Sequence, residues 1–140
     1  PTDHYTHAGL ANLLEKRGDE AAALQHYSIA LELKPDYEYV LVKLAYLLIG
    51  QDRYDEALIH AQEALSINPE QYRAHNALGL IMKERGEPER AAEHFAQALR
   101  LEPGDEVARE NLQLLPAAVH RTGVVADLAE QPGGLAEPEH

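Results

Sequence analysis

The chain contains no cysteine and no tryptophan, and its 140 residues include one phenylalanine and one methionine. Without thiols there is no disulfide framework and no thiolate metal centre, so stability must come from packing alone. That absence fits a reducing compartment and also permits an extracytoplasmic one. No apolar run approaches the roughly 18 residues of a membrane span, and no secretory leader is visible. The expectation is a cytoplasmic protein without membrane insertion. Because the sequence opens on Pro1 rather than Met, an upstream segment and a periplasmic destination stay open. Basic residues are scarce: 12 Lys and Arg against 24 Asp and Glu leave a formal net charge of −12. A nucleic acid would meet a repelling field, which argues against it as a partner. The serines are only Ser28 and Ser66, and no glycine-rich phosphate loop or nucleophile–base pattern stands out. The chain is therefore read as a non-enzyme without a cofactor.

What is present is one phrase written three times. Pro35, Pro69 and Pro103 lie 34 residues apart and close the segments Ala30–Pro35, Ala64–Pro69 and Ala98–Pro103. A fixed period of that length marks stacked helical hairpins. With the proline at position 32, the units run 4–37, 38–71 and 72–105. Position 8 is Ala11, Ala45 and Gly79, position 20 is Ala23, Ala57 and Ala91, and position 27 is Ala30, Ala64 and Ala98. Antiparallel helices approach to about 8–10 Å only where side chains are small, so these positions mark the contacts within each hairpin. Leu10, Leu44 and Leu78 at position 7, with Tyr27, Ala61 and Phe95 at position 24, fill the remaining space.

The pattern predicts first helices over about 3–17, 37–50 and 71–85, and second helices over about 20–33, 54–67 and 88–101. Gly18 and Gly86 suit the left-handed residue that ends a helix, with Asp52 a tolerable substitute. Asp19, Asp36 and Asp105 are candidate N-caps, and Pro88 sits in a first turn where its missing N–H costs nothing. A seventh helix over 105–115 carries Leu112 and a polar outer face (Arg109, Glu110, Gln113), which suits a cap on the last hairpin. After Pro116 the pattern ends. Residues 116–140 read as a linker or a docking segment, with one or two helical turns over 124–128.

These residues resemble the tetratricopeptide repeat family over roughly residues 3–115. The match departs at position 4, where His7, Leu41 and His75 replace an expected Trp, and at Ala61, where an aromatic is expected. The resemblance implies an all-α, right-handed α-solenoid of three helical hairpins plus a C-terminal capping helix. It further implies a concave groove lined by positions 2, 5, 6, 9 and 12 of the first helices. On this chain those positions nominate Tyr5, Asn12, Tyr39, Val42, Lys43, Tyr46, Arg73, Asn76, Leu80 and Lys83 as partner-binding residues, alongside Ala8, Glu15, Glu110 and Asn111. Tyrosines offer rigid amphipathic area, asparagines can pair with a peptide backbone, and Lys43, Arg73 and Lys83 suit acidic groups.

The family's carboxylate clamp reads Lys-x3-Asn, Asn, Lys-x3-Arg. Here the sites read Ala8-x3-Asn12, Lys43 and Arg73-x3-Ala77, which argues against clamping of a chaperone tail. His26, His60 and His94 share position 23. Neighbouring helices are too far apart for these three to share one zinc, whose ligands lie about 2 Å away, so no metal site is expected. The implied function is a protein–protein interaction module or scaffold that binds a partner peptide or helix in the groove. Alternatives are an accessory domain of a larger transferase-like enzyme, and a homo-oligomeric scaffold joined through the tail or the solenoid ends.

Overall fold

The computed structural model describes residues 3–121 and 123, so the expected turns over 124–128 and most of the 116–140 tail lie outside the described residues. The chain divides into two compact units, residues 1–69 and residues 70–140. The first holds α1 (His4–Lys16), α2 (Glu20–Leu33), α3 (Glu38–Gly50) and α4 (Tyr54–Ile67). The second holds α5 (Tyr72–Glu84), α6 (Pro88–Leu101), α7 (Glu106–Leu114) and a 3-10 turn, Ala117–Arg121. Among the described residues there is no strand.

Each helix end has a local cause. Gly18, Gly86 and Asp52 adopt φ of 83°, 75° and 59°. The left-handed residue lets the next amide turn back: Asp19 N–H donates to Leu14 O at 2.9 Å, Arg53 N–H to Leu48 O at 2.8 Å and Glu87 N–H to Met82 O at 2.9 Å. These are the closing bonds of a Schellman motif, and they satisfy carbonyls that the helix leaves orphaned. Asp19 and Asp105 cap their helices as expected, accepting from Ala22 N–H at 3.1 Å and Ala108 N–H at 3.0 Å. Asp3 does the same for α1 through Thr6 N–H at 2.7 Å. Asp36 does not: Tyr37 occupies the N-cap of α3 without a side-chain bond, and Asp36 lies 3.7 Å from Lys34 Nζ instead. The two residues between Pro35 and the helix place the aspartate one step too early to reach the first free amides.

The small residues stand where the hairpins close. Ala11, Ala23 and Ala30 in α1/α2, and Ala45, Ala57 and Ala64 in α3/α4, are fully buried. Ala11, Ala23 and Ala30 join Ala8, Tyr27, Val40, Leu44 and Leu47 in one apolar cluster. In the second unit Gly79 faces Phe95, and a Cβ at Gly79 would stand 2.6 Å from the Phe95 ring. Here glycine is required by proximity, not by backbone angle. Helix α7 packs on α6, and the 3-10 turn also packs on α6 with Val119 buried.

Candidate functional site

In the first unit, α1 and α3 bring four rings together at their N-terminal ends. Tyr5 and Tyr39 are 66% and 43% exposed. Tyr37, at the N-cap of α3, stands edge-on to Tyr5 at 5.7 Å between ring centroids and lies 6.1 Å from Tyr39. His4 adds contacts at 4.1 Å to Tyr5 and 5.2 Å to Tyr37. Burial, reinforced by the neighbouring Tyr5 and Tyr39, raises the Tyr37 phenol above its usual range. Tyr37 lies outside the positions nominated from the sequence, because it belongs to the turn between units rather than to a first helix. Its position two residues before the nominated Tyr39 was the available signal.

Behind this patch lies a polar chain. Tyr27, fully buried, donates its hydroxyl to Glu15 Oε2 at 2.9 Å, with Asn12 Oδ1 at 3.5 Å. Glu15 in turn holds Lys43 Nζ, 3.2 Å from Oε1 and 3.1 Å from Oε2. Burial above all, and then the Glu15 carboxylate, keeps the Tyr27 hydroxyl protonated far beyond the ordinary tyrosine range. Lys43 is thus a partly exposed cation with a partner rather than a vacant one, and Asn12 belongs to the same chain. Val42 is buried and Tyr46 half-buried.

In the second unit, Arg73 is exposed with its guanidinium 5.1 Å from the Tyr72 ring centroid. Lys83 Nζ donates to Asn111 Oδ1 at 3.3 Å, and Leu80 is half-buried. Asn76 is 1% exposed and donates Nδ2–H to Asp105 Oδ2 at 2.6 Å. It is therefore a strut that holds the capping carboxylate of α7, and its place gives no access to a peptide backbone. Tyr5, Tyr39 and Arg73 are the nominated residues that the structure leaves most open.

Two pairs of histidines meet within hairpins, position 4 of the first helix with position 23 of the second. His7 and His26 stack at 5.3 Å with their Nδ1 atoms 3.1 Å apart, and His75 lies 5.9 Å from His94. In the middle repeat Leu41 takes position 4, and His60 Nδ1 is buried without a hydrogen bond. Reading positions 4 and 23 together, rather than position 23 alone, would have found these pairs. Among the described residues no three His, Asp or Glu side chains stand close enough to hold a metal ion.

Burial depresses His60 against the opposing pull of Glu63 and Glu56. It also depresses His94, helped by His75 and Arg90 and opposed by Glu93. A folded pKa below the unfolded value means that the unfolded chain takes up protons first, so stability rises with pH in that window. We expect the Tm to fall between pH 7 and pH 5.5, and the fall to shrink in His60→Asn and His94→Asn chains. Equal falls in all three, measured by thermal circular dichroism, would assign the dependence to other groups.

The family model described as Tetratricopeptide repeat matches residues 42–106. A photosystem I assembly protein Ycf3 of Sorghum bicolor is 30% identical over 124 residues, which cover 76% of this chain and 72% of that protein. The chain belongs to the tetratricopeptide repeat family. A photosystem I assembly protein Ycf3 of a Synechococcus strain (WH7803) is 34% identical over 111 residues, covering 67% of this chain. The chain spans 64% of that relative's length. Among solved structures, the first such domain of Spaghetti (RPAP3), bound to the HSP90 peptide SRMEEVD, superposes with a TM-score of 0.75 at 18% identity, over 79% of this chain and 88% of that one. The likeness confirms the all-α tetratricopeptide repeat fold expected from the 34-residue period. No described helix of this repeat protein is long and apolar enough to cross a membrane.

Proposed function

We propose that this tetratricopeptide repeat protein is a protein–protein interaction module, and that a segment of a partner docks on the tyrosine patch of the first unit. The observation that carries the reading is the exposure of Tyr5 and Tyr39 beside Tyr37 and His4. Rigid aromatic rings exposed together lose little entropy on binding and dominate hot spots. The two Ycf3 relatives are named as assembly proteins, and assembling other proteins is a task of contact rather than of chemistry.

The paired state of Lys43 shifts the chemistry of the partner. With Glu15 already seated on it, the first unit offers faces of tyrosine rather than a bare cation. In the second unit the exposed guanidinium of Arg73 suits acidic groups of a partner. A C-terminal carboxylate clamp of the family's kind is not supported, since Ala8, Lys43 and Ala77 stand at its positions.

Tyr5→Ala combined with Tyr39→Ala is expected to abolish partner capture while helical circular dichroism is unchanged. Hot-spot truncations of this kind cost about 2 kcal/mol or more each. Arg73→Glu should weaken capture of partners with acidic segments and spare the others. Undiminished capture by the double tyrosine variant, read by pull-down and mass spectrometry, would remove the patch as the site.

A further inference from the structure

Two of the three hairpins carry histidine at both position 4 and position 23, and in each the two rings meet. Packing alone does not call for that choice. In the middle hairpin position 4 is Leu41, fully buried, and His60 at position 23 keeps a buried Nδ1 with no hydrogen-bond partner. In the first hairpin an imidazole takes the leucine's place. His7 Nδ1 and His26 Nδ1 stand 3.1 Å apart, with the rings inclined by 22°. Both residues are half-buried, so the hairpin holds the pair while solvent still reaches it. His75 and His94 repeat the arrangement more loosely, at 5.9 Å between centroids and 32°.

Neutral imidazole is the commonest protein ligand of first-row transition metals and suits zinc, copper and nickel. Such bonds are about 2.0–2.1 Å long, so two nitrogens on one ion at angles of about 90–110° stand about 2.9–3.4 Å apart. The 3.1 Å between His7 and His26 falls inside that range. In the metal-free pair one Nδ1–H spans this distance and donates to the other Nδ1. An ion takes that proton's place once both rings carry their hydrogen on Nε2 and turn about their side-chain bonds. The helices need not move: α1 packs on α2 through the buried Ala11, Ala23 and Ala30, which fix the spacing of the two ligands. A formal net charge of −12 draws cations to the chain. His26, His60 and His94 cannot share one ion, but His26 and His94 each have a second imidazole across their own hairpin.

We propose that His7 and His26 form a two-histidine clip for a divalent ion of the zinc, copper and nickel class, with water in the remaining coordination positions. His75 and His94 form a looser counterpart in the second unit. With two protein ligands rather than four, the clip is an exchangeable site and not a closed structural centre. By the general order of divalent affinities, Cu2+ binds it more tightly than Zn2+. The bound ion joins α1 to α2, so it stabilises the folded chain. The clip is independent of the tyrosine patch.

The probe is Zn2+, titrated at pH 7.5 into the full 140-residue chain free of any affinity tag, with calorimetry and the NMR signals of the imidazole rings recorded. The expected result is saturable binding that shifts His7 and His26 first, His75 and His94 at higher Zn2+, and His60 not at all. His7→Leu, which writes the middle repeat's residue into the first, should weaken the tightest site at least tenfold with an unchanged circular dichroism spectrum. His26→Gln serves if that variant does not fold. Zn2+ should raise the Tm of the parent chain and raise that of His7→Leu less. Binding should fade between pH 7.5 and pH 5.5, because each ligand must be unprotonated. Tyr39→Ala should leave the titration unchanged, which separates the clip from the patch. The proposal is overturned if no saturable binding is seen, or if His60 responds together with His7 and His26, showing that single imidazoles suffice. It is also overturned if His7→Leu binds equally, since other donors of the chain would then hold the ion.

Discussion

Asn76→Asp is expected to remove about 3–5 kcal/mol of stability at pH 7, the range for leaving a buried charge without a compensating partner. Asn76 is fully enclosed and its amide donates to Asp105 Oδ2 at 2.6 Å. Asp105 spends its carboxylate twice, on this bond and on the first turn of α7. A carboxyl group at position 76 replaces the donor with a second anion in a site closed to water. Its folded pKa is then pushed above the unfolded carboxylate value by burial and by Asp105. The folded state therefore binds the extra proton first, and stability falls as pH rises from the carboxylate range through that raised pKa. The wild-type trend near pH 6, set by His60 and His94, runs the other way. A variant whose Tm climbs on acidification while the parent's falls would carry both signs in one measurement. Equal stability of the two chains at pH 7 by urea unfolding would show that Asn76 is not a strut.

Phe95→Ala should cost about 3–5 kcal/mol, since Phe95 is fully buried and its ring lies against a residue with no side chain of its own. Gly79 has no side chain to move into the space that the ring would leave. Gly79→Ala alone has two opposing effects. Alanine favours the helix by about 1 kcal/mol, but its Cβ would lie 2.6 Å from the ring, and such overpacking costs about 1–3 kcal/mol. The net expectation is destabilisation. Adding Phe95→Leu to Gly79→Ala should recover part of that loss, giving a coupling energy of about 0.5–3 kcal/mol in the double-mutant cycle. Strict additivity would mean that the two residues do not share the space.

Much of this architecture was legible because repeats encode local rules. A 34-residue period, three prolines and the alanines at positions 20 and 27 place seven helices within one or two residues of their observed ends. Gly18, Gly86 and Asp52 announce their left-handed turns because few other residues adopt them. The candidate site was less legible for a physical reason. Lys43 and Glu15 are 28 residues apart, and Asn76 and Asp105 are 29 apart, so nothing in a local window distinguishes a solvated groove residue from a paired one. Val42 holds a register position that the family assigns to the groove, yet it is buried. Asp36 shows the reverse failure: a good capping residue stands one place out of phase with its helix.

The pairing of α1 with α2, α3 with α4 and α5 with α6 has a consequence in time rather than in energy. Each partnership joins segments separated by a turn of a few residues, so little chain entropy is lost before the first contacts form. Chains dominated by such short-range closure fold in microseconds to milliseconds, where long-range sheet topologies take up to seconds. A hairpin of this protein can therefore form soon after its second helix leaves the ribosome, well before the next one has been synthesised.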